Sequence, residues 1–236
     1  HETCDISDFI WSYGYMLMAT GDVKWADKME SAVYNAALGA INKDFKALQY
    51  FSSPNQLLAT EKSSMAPYGE EGLSRQAYRP GFDVECCSGN VHRMFPNYIS
   101  RMWMNGDEHE IVAALYGPSE YRTEINGTKV CITEDTSYPF SGKITFRFAL
   151  DGAPVRIPFT MRIPSWVENA KLTVNAEQPK EYHAGGFSTI ERRFKDGDVV
   201  ELDIDMKPRA EKRTDAGINV YMGPSLYSVD IDENVE

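Results

Sequence analysis

At 236 residues, the chain makes one large domain or two modest ones, since domains average about 150 residues, and it is long enough to bury a core. Hydrophobic residues at 42% and charged residues at 25% are ordinary globular usage, which excludes general disorder and a fibrous repeat, and no apolar run approaches the ~18 residues of a membrane helix. Lys plus Arg total 24 against 35 Asp plus Glu, a net charge of −11 that repels phosphate backbones and anionic lipid, so no nucleic acid and no membrane is expected as a partner.

His1-Glu2-Thr3-Cys4 has no initiator Met, no basic region and no apolar stretch, so it reads as neither a translation start nor a signal peptide, and the chain reads as a piece of something longer. Ile6, Phe9, Ile10, Tyr13 and Leu17 follow the spacing of one buried helical stripe. Asp5 or Ser7 is the expected cap at its start, and Gly21-Asp22 its end. Trp25, Met29, Val33, Ala36 and Ala40 make a second stripe, so two helices joined by a Thr-Gly-Asp turn should pack as an antiparallel hairpin. Phe45 to Phe51 reads as a strand and Ser52-Ser53-Pro54-Asn55 as a turn. Residues 61–81, with Pro67, Gly69, Gly72, Pro80 and Gly81, read as a long loop of the kind that often carries function. A third helix is expected within 90–104, burying Ile99, Met102 and Trp103, with Pro96 starting or kinking it.

After Asn105-Gly106-Asp107 the period changes from 3.6 to 2. Ile144, Phe146 and Phe148 alternate with Lys143, Thr145 and Arg147. Leu172 and Val174 repeat the pattern, as do Val200, Leu202, Ile204 and Met206. Turn pairs at Asn126-Gly127, Asp151-Gly152, Gly185-Gly186 and Asp196-Gly197-Asp198 separate the runs, which argues for an antiparallel β-sandwich. The expected division is 1–107 and 108–236, with Asp230 to Glu236 an acidic tail or edge. His109 and His183 read as surface residues and Cys131 as core.

Four cysteines are present: Cys4, Cys86, Cys87 and Cys131. Glu2 and Cys4, two residues apart, together with the adjacent pair Cys86 and Cys87 would supply one carboxylate oxygen and three thiolates, a donor set that suits tetrahedral zinc. Ser88-Gly89 permits the turn that two neighbouring cysteines need to reach one ion. Read from the residues alone, the alternative stays open that Cys4 and Cys131 are small core residues and Cys86–Cys87 an inert buried pair.

His-Glu-Thr-Cys at 1–4 and Glu-Cys-Cys-Ser-Gly-Asn-Val-His-Arg at 85–93 resemble glycoside hydrolase family 127 and its relatives, the β-L-arabinofuranosidase-like proteins. Downstream, Met161-Arg-Ile-Pro-Ser-Trp166, Phe194-Lys-Asp-Gly-Asp-Val-Val-Glu-Leu202 and Met222-Gly-Pro-Ser-Leu-Tyr227 are similar to that family in the same order. The resemblance implies the C-terminal part of an (α/α)6 barrel over 1–107, followed by the sandwich. It implies a zinc ion held by Glu2, Cys4, Cys86 and Cys87, with Cys86 the nucleophile of a retaining glycoside hydrolase. The general acid/base glutamate is expected upstream of the Glu-Thr-Cys motif. Ser88-Gly89 and Gly81 before Phe82 depart from the family pattern around the substrate pocket.

Two further readings compete. The same four residues would serve as a structural zinc clip in a non-catalytic, glycan-binding protein, because a closed four-ligand site is the structural kind. A cysteine amidase or protease would need a histidine base, and nothing points to one near Cys86. His92 and Arg93 are candidates to face the pocket or merely to pack, Glu85 is expected to point away, and Tyr68 and Tyr78 are candidates to stack on a sugar. Expected partners are a carbohydrate, the N-terminal half of the same barrel and a second copy in a homodimer. Cysteine usage decides neither cytoplasm nor periplasm.

Overall fold

The computed structural model describes residues 2–53, 56, 58–60, 63, 75–213 and 217–230. Outside these fall His1, the Pro54-Asn55 half of the expected turn, most of the expected loop with Tyr68, and the acidic residues 231–236.

Helix α1 (Thr3–Thr20) buries Ile6, Ile10 and Leu17 as the stripe requires, while Phe9 stays exposed at 51%. Its start differs from expectation. Glu2 holds the capping position without a side-chain cap, Asp5 is exposed, and Ser7 is buried and donates to the Asn90 carbonyl at 3.2 Å. The first amide already has a backbone partner, because Thr3 N–H donates to the Tyr50 carbonyl at 3.0 Å, so no side chain is needed there. Gly21 ends α1 at φ +62°, its N–H bonding the Leu17 carbonyl, a conformation that a side chain would disfavour. Asp22 caps α2 (Val23–Ser31) through Lys24 N–H at 3.0 Å, and a π-helical turn follows at Ala32–Ala37. Tyr13 stacks on Trp25 at 5.7 Å across the pair.

Residues 45–51 are not a strand. Leu48 bridges Ile41 and Arg79, Phe51 bridges Glu2, and Gln49 N–H bonds the Ala40 carbonyl. The backbone partner changes at nearly every residue, so no ladder forms, yet Leu48, Tyr50 and Phe51 are buried. The expected third helix is broken into α3 (Cys86–Asn90), a 3-10 turn (Val91–Arg93) and α4 (Met94–Ile99). Met102 is buried, but Ile99 is 62% exposed and Trp103 opens strand β1 (Trp103–Asn105) instead. Pro96 sits in the first turn of α4, where a missing N–H costs little.

Among the described residues twelve further strands follow: β2 (Ile111–Ala113), β3 (Ser119–Ile125), β4 (Thr128–Thr136), β5 (Lys143–Asp151), β6 (Val155–Ile163), β7 (Ala170–Val174), β8 (Lys180–Tyr182), β9 (Gly186–Phe194), β10 (Val199–Ile204), β11 (Pro208–Lys212), β12 (Ile218–Met222) and β13 (Ser225–Leu226). They form sheets in the orders β1-β2-β6-β9, β3-β4-β5-β10-β7-β8 and β11-β12-β13. The first two share one core: Phe146 and Phe148 of β5 meet Phe159 of β6 at 5.0 and 5.2 Å, and Phe148 stacks on Phe194 of β9 at 4.1 Å. The pairing is not wholly antiparallel, since β2 runs parallel to β6. The chain passes through three strands of the other sheet between them, long enough for the crossover a parallel pair needs. Asn126 and Gly127 both have positive φ, 51° and 80°, as a two-residue hairpin turn demands. Met206 lies beyond the end of β10, and Cys131 points outward from β4, half-buried and not in the core, because alternation gives the inner face to Val130 and Ile132.

Helices and sheets are tied by a buried cation. Arg162 of β6 is 0% exposed; it donates to Asp27 Oδ1 at 2.6 Å, to Glu30 Oε1, and through Nε to the Ala114 carbonyl at 2.7 Å. Tyr138 donates to the other Glu30 oxygen at 2.8 Å. Burial works against the charge on Arg162, but Glu30, Tyr138 and Asp27 outweigh it and hold the guanidinium above its ordinary range. We predict that Arg162→Ala in the full chain costs about 3–5 kcal/mol in urea unfolding, because it strands buried carboxylates, whereas Arg162→Met with Glu30→Leu recovers most of the loss.

Glu134 is a second buried acid, accepting from Gly117 N–H and Ser119 Oγ, each at 3.0 Å. Burial pushes its carboxyl up to about 8 from the ordinary value near 4.3. The native state therefore keeps a proton that the unfolded state loses between those limits. This group's contribution is complete below about pH 4 and falls as pH rises, by about 1.4 kcal/mol per pH unit. Glu134→Gln should flatten stability between pH 5 and 8 in denaturant titrations, and an unchanged slope would refute the assignment.

Candidate functional site

Two helix starts and one irregular segment build the site. Glu2 precedes the first turn of α1 and Cys4 lies within it; Cys86 and Cys87 are the first two residues of α3. Residues 48–51 hold the two starts together. Thr3 Oγ1 donates to the Gln49 carbonyl at 2.5 Å, Glu2 bridges Phe51, and Phe82 packs on the Tyr50 ring at 5.5 Å. Cys4, Leu48, Tyr50, Phe51, Phe82 and Cys87 form a small core of their own, with Cys86 at its edge.

The structure brings together all four residues that the sequence singled out. One donor atom from each of Glu2, Cys4, Cys86 and Cys87 lies within 4.8 Å of the others. Cys4 Sγ is 3.3 Å from Cys87 Sγ, and Glu2 Oε1 is 3.5 Å from Cys86 Sγ and 3.8 Å from Cys87 Sγ. The sulfurs are too far apart for a disulfide, and all four cysteines are free. Bonds of about 2.0–2.3 Å to a tetrahedral zinc would place donors ~3.5–3.8 Å apart, and the Cys4–Cys87, Glu2–Cys86 and Glu2–Cys87 separations lie within about half an ångström of that. The chemistry fits as well, since three thiols and a carboxylate crowd together. Burial and the Cys4 contact push the Cys87 thiol well up. Burial also raises Cys4, against the pull of hydrogen bonds from Asn90 and Cys87. A divalent cation would reverse this, since thiolate is the binding form.

The three sulfurs are not equivalent. Cys4 is 8% exposed and Cys87 0%, whereas Cys86 is half-buried, so only its sulfur combines membership of the cluster with access from outside. Tyr50 and Asn90, which sequence reasoning did not single out, also touch the sulfurs. The Tyr50 hydroxyl lies 3.0 Å from Cys86 Sγ, and Asn90 Nδ2 donates to Cys4 Sγ at 3.3 Å. Asn90 carried a signal, standing four residues after Cys86 at helical spacing; Tyr50 carried none, lying in an irregular segment. Hydrogen bonding to Cys86 and burial hold the Tyr50 phenol far above its usual range.

Other candidates lie elsewhere. Glu85, His92, His109 and His183 are exposed. Arg93 pairs with Asp8 and Asn90, and the Tyr78 hydroxyl donates to the Gly39 carbonyl at 2.6 Å. No described helix is long and apolar enough to cross a membrane.

Comparison with known proteins accords with this arrangement. Residues 1–100 match the family model of the GH127 β-L-arabinofuranosidase catalytic domain and residues 110–206 that of the GH127 middle domain. Among solved structures, a glycoside hydrolase is 26% identical with a TM-score of 0.77, the match covering 95% of this chain and 37% of that one. A GH127 β-L-arabinofuranosidase from Geobacillus stearothermophilus T6 is 24% identical (TM-score 0.77, 95% and 36% covered). A GH127 β-arabinofuranosidase is 23% identical (TM-score 0.76, 95% and 36% covered); these two speak to fold. This chain thus spans little more than a third of the length of the structures it resembles. No curated protein matches it by sequence. With both of its halves matched in order to domains of one family, the chain belongs to glycoside hydrolase family 127.

Proposed function

We propose that the chain is part of a retaining glycoside hydrolase that acts on β-L-arabinofuranosides or related plant-glycan sugars, with Cys86 as nucleophile. In this reading Glu2, Cys4, Cys86 and Cys87 hold a zinc ion, the helices close an (α/α)6 barrel over 1–107, and the two facing sheets are a β-sandwich over 108–236. The observation that carries it is the convergence of three sulfurs and a carboxylate on one point, with one sulfur reachable from outside.

Zinc, when bound, would supply the positive charge that keeps the thiols deprotonated. The rest falls to the protein's own groups. Cys86 Sγ attacks the anomeric carbon as the glycosidic bond breaks, and the departing oxygen takes a proton from a carboxylic acid on the opposite side of the sugar ring. Water then displaces the sulfur, giving its proton back to that carboxylate and returning the sugar with its original anomeric configuration. The Tyr50 hydroxyl, 3.0 Å from Cys86 Sγ, donates to the sulfur and fixes its direction. Glu2 is engaged with the cysteines, so the acid is assigned to the remainder of the enzyme, ahead of the Glu2–Cys4 motif.

A structural zinc clip is the competing reading, favoured by the closed set of four donors. Half-burial of Cys86 against full burial of Cys87 weighs for a reacting sulfur. In the full-length enzyme, Cys86→Ser should lower hydrolysis of an aryl β-L-arabinofuranoside by at least ~10³-fold, the order lost with a covalent nucleophile. Retained turnover would remove Cys86 from that role. Elemental analysis should find one zinc per chain, and Glu2→Ala should lose most of it; a metal-free wild type would end both zinc readings.

A further inference from the structure

Cys4 receives a hydrogen bond from a side chain whose own orientation is enforced. Asn90 presents its amide with Nδ2 at 3.3 Å from Cys4 Sγ and Oδ1 at 3.1 Å from Arg93 Nε. A guanidinium can only donate, so the amide oxygen must face Arg93 and the NH₂ end must face the sulfur. Arg93 is held in turn by Asp8, one helical turn beyond Cys4 on α1. Ser7 anchors the same unit by donating to the Asn90 carbonyl at 3.2 Å. Cys4 and Asp8 on α1, Asn90 at the end of α3 and Arg93 in the 3-10 turn after it therefore close a ring of contacts between the two segments.

We propose that Asn90, oriented by Arg93, is a positioning residue that donates to the Cys4 sulfur and so holds it in the direction from which it would bind the metal. This rests on the zinc reading above. An N–H aimed at a ligand sulfur fixes which way its lone pairs point, the part that partners outside the first ring of ligands play at metal sites. The three sulfurs are thereby distinguished by their neighbours. Cys4 meets an amide N–H, Cys86 a phenol, and Cys87 lies 3.9 Å from the Tyr50 carbonyl. The competing role for Asn90 is that of a strut that merely accepts from Arg93 and joins two helices.

Asn90→Asp separates the two. It keeps, and charges, the oxygen that accepts from Arg93, but replaces the donor facing Cys4 with a second oxygen. Zinc affinity is measured by chelator competition in the full chain, with the thiolate-to-metal charge-transfer band of the cobalt(II) form as a second readout. We expect Asn90→Asp and Asn90→Ala each to weaken zinc about 10- to 100-fold and to shift the cobalt band, with the metal-free thermal midpoint of Asn90→Asp near that of wild type. Wild-type affinity and band in Asn90→Asp, whatever Asn90→Ala does, would show a strut and overturn the proposal. If Asn90→Asp does not fold, Asn90→Ala decides by the same two readouts. A wild type that takes up no zinc fails the zinc reading itself, an outcome distinct from a zinc-binding wild type with an unaffected variant.

Discussion

A guanidinium with no access to water fixes how the helices meet the sheets. Removing Arg162 from solvent costs several kcal/mol, and attraction to Asp27 and Glu30 roughly repays it, so the contact is better read as a device for specificity than as a source of stability. Its geometry admits little variation. One fork must meet two carboxylates one turn apart on α2 while Nε reaches the Ala114 carbonyl and Tyr138 caps Glu30. Sliding α2 along β6 would leave at least one charge buried and unpaired. Because α1 is joined to α2 through the Gly21 turn and packs on it through Tyr13 and Trp25, the same constraint places the α1 start that carries Glu2 and Cys4.

The donor cluster obeys a different logic. Its members come from two helix starts, where side chains project past the end of the regular backbone and four amides are free of intrahelical partners. An irregular segment satisfies one of those amides, since the Tyr50 carbonyl accepts from Thr3 N–H, while the Gln49 carbonyl accepts from the Thr3 hydroxyl. Residues 45–51 therefore cannot make a ladder, since their hydrogen bonds are distributed among α1, the Ala40 end of the hairpin and Arg79. Loss of a strand and assembly of the site are one event seen from two sides. The cost of crowding acids together is tolerable for a site that receives a cation and hard to justify for an inert core.

The sheets contribute rigidity. Their shared core is aromatic, with Phe146, Phe148, Phe159 and Phe194 in edge-to-face and stacked contact, and the Arg162 contact joins them to the helices beside an apolar cluster in which Ala114 and Leu115 pack with Met29 and Val33. Charge is carried outward on the alternate face, where Lys143 meets Glu201 and Arg156 meets Glu191 in exposed pairs that add little stability.

Period-2 alternation gave β5, β7 and β10 their inner faces directly, and the Asn-Gly, Asp-Gly and Gly-Gly pairs located the turns, because strand burial and turn dihedrals are decided within a few residues. Ile6, Ile10 and Leu17 were legible for the same reason. Donor identity at the site was legible too, since only a few side chains bind a metal and this chain has four cysteines. Other features depended on partners distant in sequence. Phe9 and Ile99 sit on helical stripes yet face outward, β2 finds a parallel neighbour 48 positions away at Phe159, and Cys131 falls on the outer face by strand register. Tyr50 beside Cys86, the Asn90–Arg93–Asp8 ring and the burial of Arg162 belong to that class. Composition and local spacing determine which groups can bond, hold charge or bind metal, but which of them meet is set by long-range packing, whose energy no single segment contains.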